Sequence, residues 1–443
     1  METLHDPTHQ SATVPAERTV LVVLWIRGEP GRAGEVLPVD GPSELGRAGA
    51  SLIQQRPGRN LPTGPLTSSH ISRRQLLVLP RADDALLVKN LSSAPLSVNG
   101  RRLQQRVVLP GDLIAVDRRL LMLCERRRVV LPEGLDDGHA FGGPDVDGLV
   151  GESPAAWRIR QRVAFVGRRS AHVLVLGESG TGKELAARAI HRHSQRSGPL
   201  VDRNAATIPE GLIDAELFGN IKNYPNPGTP ERRGLIGEAS QGTLFLDEIG
   251  EMPEALQAHL LRVLDTGRYQ RLGDARTRTA DLRLVAATNR SEADLKHDLA
   301  ARLRLHLTLP GLSERRADIP LIARHLLRSL ARDDAELAAL FFEDDEPRLT
   351  GALIAALVQH SYTTHVRELE GLLWQVIDYS EQGDLLPPPA IASHEDADAS
   401  ALTPERLQAV LAECGGVKSK AAEVLGLRNR HQLARLLKKH GLD

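Results

Sequence analysis

The sequence predicts a multidomain chain: an all-β sandwich, an α/β domain followed by an all-helical stretch, and a small all-α end. Three observations carry this. Residues 18–128 hold short β-type runs (19–25, 75–79, 85–89 and 120–123) separated by turn signals such as Asn99-Gly100 and Pro110-Gly111-Asp112, the rhythm of a sandwich. From 149 to 312, apolar runs alternate with helical stretches, as in a parallel sheet covered by helices. Residues 313–384 and 401–443 show helical periodicity alone. Around these lie a polar arm, 1–17, and two linkers: 129–148, rich in Gly, Asp and Pro, and 385–400, where Pro387-Pro388-Pro389 precedes a run of acids.

Composition narrows the class. A formal net charge of −1 over 443 residues excludes a uniformly basic nucleic-acid coat but leaves room for a local basic module. Aromatics are only 3%, so the cores must be built from Leu, Val, Ile and Ala. Only two cysteines occur, Cys124 and Cys414, and alone they make neither a disulfide framework nor a zinc spacing, so a reducing compartment is expected. No apolar run approaches the roughly 20 residues that span a bilayer. The N-terminus shows no basic-then-apolar leader. The expectation is a cytoplasmic protein with no membrane partner.

The chemistry starts at 177–184. The apolar run 173–176 leads into Gly177, Glu178, Ser179, Gly180, Thr181, Gly182, Lys183 and Glu184, and a helix follows from 185 to 191. A glycine-rich turn between a strand and a helix converges backbone N–H groups on a polyphosphate, and the helix N-terminus adds its positive end. Lys183 supplies a point charge for the β- and γ-phosphates, so ATP is the expected ligand. A second apolar run, 242–246, delivers Asp247 and Glu248 to its tip. Asp247 suits Mg²⁺ and Glu248 suits polarisation of an attacking water. A third run, 282–287, ends in Thr288-Asn289; Asn289 can sense a γ-phosphate or be an ordinary turn residue.

Together, 177–184, Glu216-Leu217-Phe218-Gly219, 242–249, Gln257 to Leu264, Ala286-Ala287-Thr288-Asn289 and Val366-Arg367-Glu368-Leu369 resemble the AAA+ module of the sigma-54-dependent bacterial transcription activators. The resemblance runs from about 149 to 382, and Glu184, where generic phosphate loops have Ser or Thr, is a feature of that family. It implies that Asn204 is the switch partner of Glu248, that Asn289 and Arg367 are the first and second sensors, and that ATP binds between subunits of a homo-oligomer, a hexameric ring. Arginines reaching across that interface lie in a Phe-Arg-x-Asp-Leu-x-x-Arg-Leu pattern. Here Arg302 is kept and Lys296 replaces the other, and lysine cannot make the bidentate contact. Hydrolysis is expected, with turnover that this change can slow.

The family carries Gly-Ala-Phe-Thr-Gly-Ala in a loop that contacts sigma-54 in the RNA polymerase holoenzyme. The corresponding positions read Asn223, Tyr224, Pro225, Asn226, Pro227 and Gly228, with the spacing to Gly242 kept. Two prolines stiffen the tip and remove two donors. Three readings stay open: contact with sigma-54 through Tyr224, contact with another holoenzyme or partner, or a plain turn.

The C-terminal segment resembles the Fis-type helix-turn-helix of the same family. Ala421-Ala422 permits close packing, Gly426-Leu427 makes the turn, and Leu433, Leu436 and Leu437 form an apolar face. The DNA-facing set is Lys418, Arg428, Arg430, His431, Gln432, Arg435 and Lys438, with Arg430, His431 and Gln432 toward base edges. The N-terminal β module resembles a forkhead-associated domain, which captures phosphothreonine proteins. Leu45-Gly46-Arg47, Ile71-Ser72-Arg73-Arg74-Gln75 and Val98-Asn99-Gly100 carry the likeness. It implies Arg47 and Ser72 on the phosphate, Arg73 in support and Asn99 in the peptide site. Gln75 stands in place of the family's His, and Ala94-Pro95-Leu96 in place of its Asn-Gly-Thr.

Overall fold

The structure is a computed structural model that describes residues 17–82, 84–252 and 254–392, together with Leu411, Leu433 and Leu437. It divides into two compact units, with the seam between Asp136 and Asp137.

The first unit is a β-sandwich. Its strands are β1 (Glu17–Ile26), β2 (Val36–Leu37), β3 (Ser43–Leu45), β4 (Leu52–Arg56), β5 (Arg59–Gly64), β6 (Leu76–Pro80), β7 (Leu86–Asn90), β8 (Leu96–Val98), β9 (Arg101–Leu103), β10 (Gln105–Val108), β11 (Leu113–Val116) and β12 (Leu120–Arg128). One sheet runs β5-β4-β2-β1-β12-β11-β8-β9 and the other β10-β7-β6-β3. β1 pairs antiparallel with β12 from Glu17↔Arg128 to Ile26↔Leu120, with a bulge between Val23 and Trp25. Leu21, Val23, Leu45, Leu76, Val88 and Met122 fill the space between the sheets. The core is aliphatic, as the low aromatic content requires.

The second unit holds a five-stranded parallel sheet of β13 (Val173–Leu176), β14 (Leu200–Asn204), β15 (Thr243–Asp247), β18 (Arg283–Thr288) and β19 (Leu305–Thr308), in the order β14-β15-β18-β13-β19. A small hairpin, β16 (Arg268–Tyr269) and β17 (Arg278–Thr279), lies between β15 and β18 in sequence. The helices of this part are α1 (Pro154–Gly167), α2 (Lys183–Ser194), α3 (Ile213–Phe218), α4 (Leu235–Glu238), α5 (Glu254–Thr266) and α6 (His297–Ala300). The lid is α7 (Ile319–Asp333), α8 (Ala335–Phe341), α9 (Gly351–Gln359), α10 (His365–Tyr379) and α11 (Pro389–Ala392). Both faces of the sheet are buried: Leu174 enters one apolar cluster, and its neighbours Val173 and Val175 enter the other. That is the period-2 signature of a strand covered on both sides. Each such side chain contributes about 1.5–3 kcal/mol by leaving water. The register sets Leu176 beside Thr288 and Asn204 beside Asp247, so the chemically interesting strand tips share the carboxyl edge.

Both linkers are shorter than the sequence suggests. The Gln55 carboxamide donates to the carbonyls of Arg128 and Val129, and Gly58 N to that of Leu131, so 129–136 continues the sandwich. On the other side of the seam, the His139 side chain, 3% exposed, lies between Asp137 and Glu152, and buried Asp145 pairs with Arg160 at 2.8 Å. Residues 385–392 are also folded: Leu385 is buried and bonds Arg348 O at 2.9 Å, and Ile391 of α11 is buried. Glycine, proline and acid content reads as slack, but polar groups arranged to bond neighbouring backbone have the same composition. Residues 393–400 lie outside the described residues. Among the described residues no helix is long and apolar enough to cross a membrane.

Candidate nucleotide site and the loops around it

The turn from β13 to α2 needs its glycines. Gly180 (φ +77°) and Gly182 (φ +98°) lie in the left-handed region, and a Cβ on Gly180 would collide with Thr364 O. Gly182 is the N-cap of α2, so the first N–H groups of the helix open onto the turn. Lys183 is buried, and its Nζ donates to the carbonyls of Gly177 (3.0 Å) and Glu178 (3.3 Å). Burial pulls the Lys183 ammonium below its usual value, Asp247 and Glu248 oppose that, and Arg367 adds to it. All three therefore act on the same small space. Thr181 closes the turn through its hydroxyl to Glu178 O at 2.8 Å. Glu184 is exposed and pairs with Arg188 one helical turn on.

At the β15 tip, Glu248 N donates to Asp247 Oδ1 at 2.9 Å, and Glu248 itself is left-handed at φ +53°. A non-glycine residue held in that region at a strand tip is a feature of sites that aim a side chain. The groups fit a nucleotide: a left-handed glycine turn, a buried ammonium and an adjacent carboxylate pair. Among the described residues no cluster of three or more ligating side chains could hold a metal.

The remaining expected groups are placed as follows. Asn204 stands beside Asp247 at the β14 tip, and its Oδ1 accepts from Ala206 N at 2.9 Å, so its carboxamide caps a turn. Asn289 is exposed just past β18. Arg367, near the start of α10, reaches the phosphate loop directly, with Nη1 donating to Ser179 Oγ at 2.8 Å. Arg302 forks onto Asp265 of α5, both being partly exposed, and the pair lowers the pKa of Asp265 and raises that of Arg302. Lys296 is the N-cap of α6, and its backbone N–H donates to Gln257 Oε1 at 3.3 Å.

The substituted loop is held at both neck and tip. Buried Asn220 directs its Nδ2 at the carbonyls of Ile221, Tyr224 and Pro230, at 2.9, 3.2 and 2.9 Å. Asn223 N donates to Thr229 O at 2.8 Å, and Gly228 N to Asn223 Oδ1 at 3.0 Å, which close the tip. Tyr224, 40% exposed, packs over Gly273 of the β16–β17 hairpin, where a Cβ would lie 2.6 Å from its ring. Pro225, Asn226 and Pro227 are exposed.

In the sandwich, Arg47 N bonds Ser72 O at 3.1 Å and Ala48 N bonds Arg73 O at 2.9 Å, so Arg47, Ser72 and Arg73 share one corner. Arg47 Nε donates to Ile71 O at 2.8 Å. Gln75, buried, bonds Ser72 N and Ser92 Oγ and so ties the β7–β8 loop to this corner. Asn99 is elsewhere. It follows β8 at the end away from that loop, at φ +49°, and its carboxamide bonds Asp112 (2.7 Å) and Leu113 N (2.8 Å). Its carboxamide holds a turn.

Sequence reasoning missed His365, Gly311 and Asn220. His365 and Asn220 each adjoin a motif it did use, Gly311 adjoins none, and none of the three carries a chemical signal of its own. The DNA-facing set Lys418, Arg428, Arg430, His431, Gln432, Arg435 and Lys438 lies outside the described residues. Leu433 and Leu437, one turn apart on the expected apolar face, are helical and buried.

Parts of the chain match known proteins. A family model described as the Sigma-54 interaction domain matches residues 149–310, and one described as bacterial regulatory protein, Fis family, matches 405–440. The Nif-specific regulatory protein of Klebsiella oxytoca is 34% identical over 449 residues, covering 88% of this chain and 82% of the relative. The anaerobic nitric oxide reductase transcription regulator NorR of Aeromonas hydrophila is 38% identical, over 65% of this chain and 56% of its own. The DNA-binding transcriptional regulator NtrC of Escherichia coli is 41% identical, over 52% and 49%. Among solved structures, NtrX from Brucella abortus in complex with ATP aligns at 30% identity over 66% of this chain and 69% of that chain, with a TM-score of 0.49.

Proposed function

The chain belongs to the family of bacterial transcription regulators built on a sigma-54 interaction domain and a Fis-type end, and from that premise we propose that it is an ATP-driven regulator working as a hexameric ring. The observation that carries this is the meeting of the lid with the phosphate loop, Arg367 on Ser179 beside Lys183. In the proposed cycle the glycine turn and α2 hold the phosphates, and Lys183 neutralises charge at the β- and γ-phosphates. Glu248 polarises the attacking water. Asn289 reads the γ-phosphate, and Asn204 exchanges its cap on Ala206 for Glu248 when the site switches. Magnesium, held by Asp247 and the phosphate oxygens, would neutralise charge on the transferring phosphoryl group. Arg302 and Lys296 serve the neighbouring subunit's site once Arg302 leaves Asp265.

The Fis-type end anchors the ring on DNA at an enhancer-like site. The sandwich is forkhead-associated in kind and takes a phosphothreonine protein at Arg47, Ser72 and Arg73. The 223–228 loop touches the polymerase holoenzyme, with Tyr224 as its aromatic. The test is promoter opening with ATP, DNA and sigma-54 holoenzyme, run beside a chain in which 219–232 and 268–279 are exchanged together for those of a relative that carries Gly-Ala-Phe-Thr-Gly-Ala at 223–228. Open complexes from the natural loop support sigma-54 as the target; opening only after the exchange means that the natural loop serves another partner or is a plain turn.

A second reading has one specific support. Arg302 is engaged by Asp265 of its own chain and Lys296 replaces the other arginine, which suits a site that sets assembly without rapid turnover. ATP turnover that disappears in Glu248→Gln rejects it. Assembly driven equally by ATP and by a non-hydrolysable analogue, with negligible turnover, supports it.

A further inference from the structure

Three consecutive lid residues meet three consecutive residues of the phosphate loop. Val366 N donates to Gly180 O at 3.0 Å, Arg367 reaches Ser179, and His365 Nε2 lies 2.8 Å from Glu178 Oε2. The arginine belongs to the expected machinery, but His365 does not. It is buried, it opens α10 at φ +45°, and its ring faces Gly311, where a Cβ would lie 2.6 Å from Cε1. Leu312 N donates to its Nδ1 at 3.3 Å. That donor makes Nδ1 the acceptor, so Nε2 carries the proton and donates to the Glu178 carboxylate. One imidazole thus joins the segment after β19, the first turn of α10 and the phosphate loop.

We propose that His365 is a positioning residue: a strut that fixes the lid against the phosphate loop, so that Gly180 keeps its turn and Arg367 is presented to the nucleotide. The proposal rests on the nucleotide reading for its consequence but not for its geometry. A strut that is already made before ATP arrives raises affinity by removing the cost of ordering lid and loop together. Its loss therefore shows in KM and in binding more than in kcat, whereas loss of Glu248 shows in kcat.

The experiment uses the full chain and three variants, His365→Asn, Glu178→Gln and Gly311→Ala. Asparagine tolerates the left-handed backbone but is too short to span from Leu312 to Glu178. Glutamine removes the charge from the acceptor, and alanine at 311 pushes the ring out from the other side. Without nucleotide, amide exchange at Val366 should quicken about tenfold in each, the worth of one hydrogen bond to a charged group at its weaker end. Affinity for a non-hydrolysable ATP analogue should fall about tenfold, with KM rising more than kcat falls. The effects of His365→Asn and Glu178→Gln should be less than additive when combined. Unchanged exchange in His365→Asn and Gly311→Ala overturns the strut, as does full additivity. If His365→Asn alone is affected, the fault is in α10 itself and the proposal also falls. Should the natural chain bind no analogue, the nucleotide reading fails, while the exchange result still decides the strut.

Discussion

In the second unit the candidate anion site is made mostly of backbone. Gly180 and Gly182 hold left-handed turns, α2 opens its N–H groups onto them, and Lys183 is buried behind. In the sandwich the candidate anion corner is made of side chains. Arg47 and Arg73 are exposed, and two loops are zipped by the bonds Arg47 N to Ser72 O and Ala48 N to Arg73 O. The first kind of site is fixed by the fold and tolerates no change of turn. The second is fixed only as well as its loops are, and it depends on one or two guanidinium groups. This difference sets the size of each expected effect.

The largest effect belongs to the phosphate loop. Lys183→Ala should lower ATP turnover by about two to three orders of magnitude, as loss of a preorganised charge does at such sites. Turnover and nucleotide binding by the variant within tenfold of the natural chain would break the comparison. Glu248→Gln should lower kcat by about two orders of magnitude while ATP affinity stays within a few-fold, measurable by single-turnover kinetics. In the sandwich, Arg47→Ala should weaken binding of a phosphothreonine peptide by about tenfold, and calorimetry with phosphorylated and unphosphorylated peptide checks it. Asn99→Ala should leave that affinity unchanged and lower the sandwich's stability by about 1 kcal/mol through its turn.

Two smaller effects follow pH. Burial opposes the charge on Glu368, but the amide of Thr364, the ring of His360 and the amide and hydroxyl of Thr363 hold its carboxylate down to about 2, from an ordinary 4.5. The folded value is depressed, so this support for the start of α10 is complete above 4.5 and is lost as pH falls toward about 2. Thermal melts between pH 5 and pH 3 should decline less steeply in Glu368→Gln than in the natural chain. At His139 burial favours the neutral ring, but Glu152 and Asp137 outweigh it and the pKa is raised above 6.5. Its contribution is therefore complete below 6.5 and is lost as pH rises through the higher folded value. Exchange at Gly142, whose N–H bonds Glu152, should quicken across that range beyond its intrinsic base-catalysed rise, and His139→Gln should remove the excess.

Strand-turn-helix logic made the phosphate loop, Asp247 and Glu248 legible in the chain, because their chemistry and their local structure are the same few residues. Arg367 was legible through resemblance, and the structure seats it on Ser179. His365 was not legible: a histidine before a helix carries no signal until Gly311 and Glu178, 54 and 187 residues away, are brought beside it. Asn99 shows how one motif carries two readings. Asn-Gly announces a turn, and the same carboxamide that could grip a peptide is used to close that turn on Asp112 and Leu113. The linkers misled because composition reports solubility, whereas Asp145 and His139 are spent on buried partners.

Tyr224 lying over Gly273 means that the six residues 223–228 are not a detachable cassette. Their outline is cut to fit a second segment some fifty positions later, and Asn220 is threaded through three of the carbonyls around them. A transplant that exchanges the six alone leaves a bare glycine where the tyrosine lay and an asparagine reaching for carbonyls that have moved. Engineering this regulator toward a different target therefore requires exchange of 219–232 and 268–279 as a pair, and natural drift at one should drag the other with it.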